Sequence, residues 1–260
     1  MISLFFAGTI CWVVAGIFGI AFQYETYERM SWKGVTLKAL SSFGIFVYAL
    51  VLILLYGNPT EAAILFTVGL VLESLGDTLV AGLEASGDGN NSSLHKDLVS
   101  RTRGRIILLG VTGVLFICAY FLQMVAFLKS IASYAVVTNY VGLFLIFFFV
   151  PPLFTTLGGM LSKFRVPETD TSVFIIGVFY ILLTSALFAS GTIFAFSLFP
   201  NDPIHAGWIL LGTILFFLSM LMVSLRYASP EKYESIPMRI TSRLLTFLGR
   251  MVLAGCAFLL

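Results

Sequence analysis

Three ionisable residues lie inside long apolar segments of this sequence: Glu73, Asp77 and Arg250. Each such residue costs at least about 2.5–3.5 kcal/mol near the centre of a bilayer, so it usually faces the protein interior and has a partner. Glu73 and Asp77 are four residues apart, which places both carboxyl groups on one face of a helix. Two carboxylates on one dry face repel each other, so one is expected to stay protonated near neutral pH. Such a pair suits general acid–base chemistry, and the alternative is a structural polar clamp.

The third group, Arg250, is expected to meet the two carboxylates. At 1.5 Å per residue, Asp77 lies about 9 Å, Glu73 about 15 Å and Arg250 about 10 Å from the polar ends of their segments. The similar depths of Asp77 and Arg250 predict that their two helices are neighbours. We therefore expect Arg250 to pair with Asp77, Glu73 or both.

The segments that position these groups are predicted to be transmembrane helices. The 260 residues are 59% apolar and only 11% charged, with a mean hydropathy of +1.01. An ordinary soluble domain is about 25% charged, so this composition excludes a soluble globule and a disordered chain. Segments of about 20 apolar residues predict membrane spans. Eight of them occur, at about 2–22, 35–56, 61–83, 106–128, 136–160, 172–199, 204–225 and 243–260. The predicted fold is all-α, a single multi-pass membrane domain over residues 1–260.

The basic residues predict the orientation of these spans. Loops 1–2, 3–4, 5–6 and 7–8 hold 13 Lys and Arg residues, whereas the loops on the opposite side hold only Lys129. Short cytoplasmic loops carry an excess of Lys and Arg. Both termini are therefore predicted outside, or in the lumen, of a cell membrane or an endoplasmic reticulum membrane.

Two segments of similar sequence suggest an internal repeat. Residues 69–86 and 212–229 match at six positions at an offset of 143, beginning with Gly69 and Gly212. The two segments are four helices apart and run in the same direction, as a parallel 4+4 repeat requires. The alternative is chance, because Gly, Leu, Val and Ala are common throughout this chain.

Smaller polar groups also lie within the predicted spans. Tyr120 and Gln123 are three residues apart in the fourth span, and Ser219 lies in the seventh. Each is either a part of a site or a hydrogen-bonding link between helices. The three cysteines are far apart and no Cys/His cluster occurs, so neither a metal nor another cofactor is predicted. The net charge of +2 gives no indication of a nucleic-acid partner, and the oligomeric state stays open.

Several short motifs resemble the YhhN family of eight-helix membrane proteins, the lysoplasmalogenases. Residues 69–77 read GLVLESLGD and are similar to the family pattern G-L-x-x-S-x-x-G-D, with Glu73 in place of a small residue. Residues 212–220 resemble G-A-x-x-F-x-x-S-D, with Met220 at the position of the second Asp. Residues 119–127 resemble A-H-x-x-Y-x-x-x-F, with Tyr and Gln at the His and Tyr positions. Lys38 resembles the family Lys-Pro, although Ala39 stands where the Pro is expected.

The resemblance implies hydrolysis of the vinyl ether bond of lysoplasmalogen-type lipids. Asp77 and Glu73 would then be catalytic, Glu73 as the acid and Asp77 as an ionised base beside Arg250. Lys38 would hold the lipid phosphate, and Arg250, Tyr120, Gln123 and Ser219 would complete the substrate-binding site. Two other functions are weighed: a catalytically inactive lipid-binding protein of the same fold, which the changes at Tyr120 and Met220 favour, and a small-solute transporter. The clustering of the charges in one half of the membrane counts against transport.

Overall fold

The computed structural model of the chain describes residues 2–26, 31–56, 59–86, 103–133, 142–149, 171–228 and 236–260. The described residues form helices and contain no strand. The helices are α1 (Ile2–Glu25), α2 (Trp32–Tyr56), α3 (Glu61–Ala85), α4 (Arg103–Ser133), α5 (142–149), α6 (Thr171–Leu198), α7 (Pro203–Ala228) and α8 (Ile236–Gly255). A short 3₁₀ turn follows at Ala257–Leu259. The prediction of an all-α chain is confirmed for this part.

Six of the described helices are long and apolar enough to cross a membrane. Their apolar windows are Gly8–Glu25, Trp32–Tyr56, Glu61–Leu83, Gly110–Ser133, Tyr180–Leu198 and Pro203–Val223. These windows have the length that a bilayer core of about 30 Å demands of a helix. The chain is therefore a multi-pass helical membrane protein.

The last helix differs most from its predicted bounds. A helix was expected over 243–260, but α8 begins at Ile236 and ends at Gly255. Pro237 is tolerated because the first turn of a helix needs no bonded N–H, so the helix includes the polar residues that hydropathy excluded. Glycine commonly ends helices, and here the chain continues from Gly255 into the 3₁₀ turn. The predicted span 136–160 extends beyond α5 into residues outside the described part.

The chain forms two compact units. Unit 1 comprises Met1–Gln123 and Ala254–Leu260, and unit 2 comprises Met124–Leu253. In unit 1, α2 packs against both α1 and α3. A Cβ added to Gly44 of α2 would lie 2.9 Å from the Cβ of Ala15 in α1, and the Ser41 hydroxyl donates to the Ala15 carbonyl at 3.0 Å. Small residues and hydroxyl groups therefore bring these helices together, as is common inside membranes.

In unit 2, α7 packs against both α6 and α8. A Cβ added to Gly249 of α8 would lie 2.9 Å from the backbone nitrogen of Phe216 in α7. Gly212, earlier in α7, lies beside Leu253, later in α8, whereas Ser219 bonds to Ser242. These contacts show that α8 runs antiparallel to α7 along its length.

Candidate functional site

Helix α3 carries both predicted catalytic carboxyl groups. It begins after Thr60, whose side chain caps the helix by accepting a hydrogen bond from the Ala63 backbone N–H at 3.0 Å. Two other polar residues of α3, Ser74 and Thr78, donate their hydroxyls to carbonyls four residues earlier. Such back-bonding satisfies hydroxyl groups within the helix itself. Glu73 and Asp77 have longer side chains that reach residues of other helices.

The Glu73 carboxyl group is buried and bonded to an amide of α4. Its side chain is 1% exposed, and Gln123 Nε2 donates to Glu73 Oε2 at 3.1 Å. Gln123 is itself 2% exposed. A hydrogen bond from an amide N–H satisfies one oxygen of a buried carboxyl group.

The close approach of α3 and α4 makes this hydrogen bond reachable. A Cβ added to Gly69 would lie 2.7 Å from Cγ of Gln123 and 2.9 Å from the Ala119 carbonyl oxygen. Two turns further along, a Cβ added to Gly76 would lie 3.2 Å from the Phe116 ring. The absence of side chains at these two glycines thus sets the distance between the helices.

The Asp77 carboxyl group lies beside a cation of α2. Lys38 Nζ is 3.7 Å from Asp77 Oδ1, and the two side chains are 18% and 16% exposed. At that distance the groups attract each other as charges, although the separation exceeds that of a hydrogen bond. The same Nζ lies 5.7 Å from the centre of the Phe22 ring in α1, which is within the range of a cation–π contact.

Five predicted site residues therefore come together in unit 1. Four of them, Lys38, Glu73, Asp77 and Gln123, form what we call the α3 carboxylate cluster. Tyr120 lies one turn from Gln123 on α4, is fully buried, and stacks on Phe116 with ring centres 5.9 Å apart. The cluster thus combines two carboxyl groups, one cation and one amide.

Two further predicted positions lie in unit 2. The Ser219 hydroxyl donates to the Ser242 carbonyl at 2.8 Å and also contacts the hydroxyl of Thr246. Ser219 therefore links α7 to α8 by hydrogen bonds. Its neighbour Met220 is 5% exposed, and its sulfur accepts a hydrogen bond from the Tyr180 hydroxyl of α6.

Arg250 also belongs to unit 2, where its side chain is 6% exposed. Its pairing with Asp77 or Glu73 stays a prediction. The contact that sequence reasoning missed is that between Lys38 and Asp77. A signal for it was present, because Lys38 lies near the start of the second predicted span and Asp77 near the end of the third, on the same side of the membrane.

In the part of the chain that the structure describes, no group of three or more His, Cys, Asp or Glu residues could hold a metal ion. Comparison of the chain with models of protein families, with curated proteins and with solved structures finds no match.

Proposed function

We propose that this chain is a lysoplasmalogenase-like hydrolase, a divergent member of the YhhN family that cleaves the vinyl ether bond of lysoplasmalogen-type lipids. The observation that carries the proposal is the difference in burial between the two carboxyl groups on α3. Glu73 is 1% exposed and accepts a hydrogen bond from Gln123, whereas the Asp77 side chain is 16% exposed and lies beside the Lys38 cation. Burial favours the protonated form of a carboxyl group and a neighbouring cation favours the ionised form, so the acid and base roles are divided between the two groups.

The reaction begins with a proton from the Glu73 carboxyl group, which adds to the β-carbon of the vinyl ether. The α-carbon and its oxygen then share the positive charge of an oxocarbenium ion. Asp77, kept ionised by Lys38, stabilises that charge and accepts a proton from the attacking water. In the hemiacetal that results, Asp77 returns its proton to the ether oxygen as the carbon–oxygen bond breaks, and the hydroxyl proton passes to Glu73. An aldehyde and the glycerol-phosphate alcohol are released, and both carboxyl groups regain their starting protonation states. Glycosidases divide acid and base roles between two carboxyl groups by the same logic.

In this proposal, Lys38 has a role additional to phosphate binding. Its distance of 3.7 Å from Asp77 supports a contribution to the charge state of that carboxylate. Gln123 orients the Glu73 carboxyl through its amide N–H. Tyr120 forms part of the wall of the substrate site.

The proposal includes eight spans, with both termini on the outer or lumenal side and the basic loops in the cytoplasm. It also includes the parallel 4+4 repeat. The two glycines that align in the similar segments support the repeat, because each packs closely against the next helix in the chain. Gly69 meets α4 within unit 1, and Gly212 meets α8 within unit 2. The similar extents of the two units also agree with a repeat.

The test is mass spectrometry of purified protein incubated with a lysoplasmalogen and with its saturated ether analogue. Only the vinyl ether should release an aldehyde. Glu73→Gln and Asp77→Asn should each lower turnover at least about 100-fold, since proton transfer by a positioned group contributes about 10²–10⁴-fold. Glu61→Gln, the same change in the exposed first turn of α3, should leave turnover unaltered. Full turnover by Asp77→Asn would refute the assignment.

A second candidate is a catalytically inactive lipid-binding protein of the same fold. The buried Met220 favours it, because a thioether that accepts a bond from Tyr180 fills space but cannot take up a proton at neutral pH. This candidate predicts that the lysoplasmalogen remains bound to the purified protein and that no aldehyde is released.

A further inference from the structure

Helix α1 supplies none of the predicted site residues, yet one of its rings lies against the α3 carboxylate cluster. Lys38 Nζ lies over the face of the Phe22 ring, 5.7 Å from its centre. The Phe22 side chain is 4% exposed, so little water reaches this contact. The face of an aromatic ring carries negative charge and attracts an ammonium group, most strongly where water is excluded. The Lys38 cation is therefore attracted by groups on two helices, Asp77 on α3 and Phe22 on α1.

The packing of α1 against α2 brings this ring to the level of the Lys38 amine. The Ser41 hydroxyl of α2 bonds to the Ala15 carbonyl of α1. Phe22 follows Ala15 by seven residues, two turns along one face of α1, whereas Lys38 precedes Ser41 by about one turn of α2. The two helices thus run antiparallel. Side chains lean toward the start of their helix, so the long lysine stem covers the remaining distance to the ring.

The end of α1 fixes the backbone from which the ring projects. The Phe22 carbonyl accepts a hydrogen bond from the Thr26 backbone N–H at 3.0 Å and another from the Thr26 hydroxyl at 2.7 Å. Thr26 is itself 1% exposed. These two bonds keep the last turn of α1 formed beside the cluster, so Phe22 presents its ring from a fixed position.

The attraction of Asp77 alone does not determine where the Lys38 ammonium lies. Its Nζ is 3.7 Å from Asp77 Oδ1, which exceeds the length of a hydrogen bond and leaves an attraction between charges with little preference for direction. A lysine side chain has many rotamers, and several of them are compatible with such an attraction. A second, buried group that attracts the ammonium reduces that number.

We propose that Phe22 is a positioning residue, whose ring holds the Lys38 ammonium beside Asp77. A ring face has no oxygen lone pair, so it attracts the cation without taking the place of the oxygen atoms that bind it. In the proposed hydrolysis, on which this consequence rests, Phe22 acts through Lys38 to keep Asp77 ionised and the lipid phosphate bound. The placement of the ammonium itself does not depend on that reaction.

Fluorinated phenylalanines at position 22 test this role in the full-length chain. Mono-, di- and trifluorinated rings keep nearly the shape of Phe22 but withdraw negative charge from its face. Aldehyde release from a lysoplasmalogen should fall stepwise with the number of fluorines, by about 10-fold for the trifluorinated ring. The matched control is a trifluorinated ring at Phe127, which is 2% exposed and packs on the Phe194 ring in unit 2. This control should leave the rate unaltered.

Thermal unfolding measures the placement of the ammonium independently of turnover. The trifluorinated ring at position 22 should lower the unfolding temperature of the native chain by about 2 °C or more. It should cause no such shift in the variant Lys38→Met, which keeps an apolar stem and lacks the charge. If the native chain releases no aldehyde, the proposed function is refuted, and the difference between these two shifts still tests the positioning.

Two results would overturn the proposal. Equal shifts in the native chain and in Lys38→Met would mean that the ring does not act on the ammonium. An active chain whose rate of aldehyde release does not change with fluorination would mean that Phe22 packs beside Lys38 without positioning it.

Discussion

Glu73 and Asp77 occupy consecutive turns of α3, and each has a side-chain contact with a different helix. Gln123 donates a hydrogen bond to the first, and Lys38 lies beside the second. The spacing of four residues predicted the shared face, because that follows from helix geometry alone. It did not predict the neighbours, since these depend on which helices pack together. The resemblance placed Lys38 and Gln123 in the site, and the structure adds the atoms that they contact.

Exchanging the charges of Lys38 and Asp77 tests this ion pair. Lys38→Asp alone should destabilise the protein by about 2 kcal/mol or more, because it places two carboxylates together in a partly buried position. The double variant Lys38→Asp/Asp77→Lys should recover most of that loss. Thermal unfolding of purified protein in detergent measures both effects.

The matched control is the exposed pair of Lys33 and Glu25, whose Nζ and Oε2 are 2.9 Å apart. Exposed ion pairs contribute about 0–1 kcal/mol, so Lys33→Asp should have little effect. Additive losses in the Lys38/Asp77 double variant would contradict the pairing. The same exchange between Arg250 and Asp77 tests the pair that the sequence predicts.

At the scale of elements, the glycines of α3 and α4 occupy two kinds of position, packed against a neighbouring helix or open. Gly69 lies against α4, whereas Gly110 of α4 has no other atom within 4 Å of an added Cβ. Hydropathy gives both the same value. A sequence therefore predicts that a helix exists far better than it predicts which of its glycines pack against a neighbour.

Substituting alanine at these two glycines should have opposite effects. Gly69→Ala should destabilise the protein by about 1–3 kcal/mol, as is typical of overpacking, because the added Cβ overlaps Gln123 and the α4 backbone. Gly110→Ala should be neutral or stabilise by up to about 1 kcal/mol, since alanine favours the helix more than glycine does. Thermal unfolding compares the two, and equal effects would show that the close α3–α4 approach is wrong.

The start of α7 depends on the side chain of Asp202. Asp202 directly precedes Pro203, the first residue of the helix. Its Oδ1 accepts a hydrogen bond from the His205 backbone N–H at 3.2 Å. The hydrogen bond from the His205 ring, followed by that backbone bond, lowers the pKa of the Asp202 carboxyl group. A capping Asp and a Pro in the first helical position are both typical of a helix start. The sequence also predicts a break between two spans at this point.

Removing this cap should have an effect that depends on pH. Asp202→Ala should lower the unfolding temperature at pH 7, because the helix start loses its capping hydrogen bond. Because the pKa is lowered on folding, the contribution is complete above the unfolded value of about 3.9 and is lost as the pH falls through the folded value. Unfolding at pH 7 and near pH 3 should therefore show a difference that shrinks in acid. A difference that is constant with pH would argue against a role for the carboxylate.

At the scale of the whole molecule, the length and apolar character of the segments predicted most of the helices. Every predicted span overlaps a helix in the described residues, and six have the length and hydropathy of a membrane crossing. Hydropathy misses the first residues of helix α8 because the arginines there lower its value over residues that are helical. The packing of residues 254–260 with unit 1 has no signal in the periodicity of the chain.

The proposed orientation can be tested by labelling single cysteines. In a chain with Cys11, Cys118 and Cys256 replaced by alanine, Lys129→Cys should react with a membrane-impermeant maleimide in intact cells. Lys33→Cys should react only after the cells are opened. Both native lysines are exposed in the structure. If only the cysteine at position 33 reacts in intact cells, the proposed orientation is reversed. If the cysteines at both positions react in intact cells, the proposed number of spans between them is wrong.

The polar contacts of α3 also bear on the order in which the chain enters the membrane during synthesis. Helix α2 precedes α3, so Lys38 is already in place when Asp77 arrives. Gln123 lies on α4 and is synthesised only after the whole of α3. Until then Glu73 lacks its amide donor and faces an insertion cost of about 2.5–3.5 kcal/mol. Helix α3 is therefore expected to stay beside the insertion machinery until α4 emerges, and the two helices should enter the lipid as a pair.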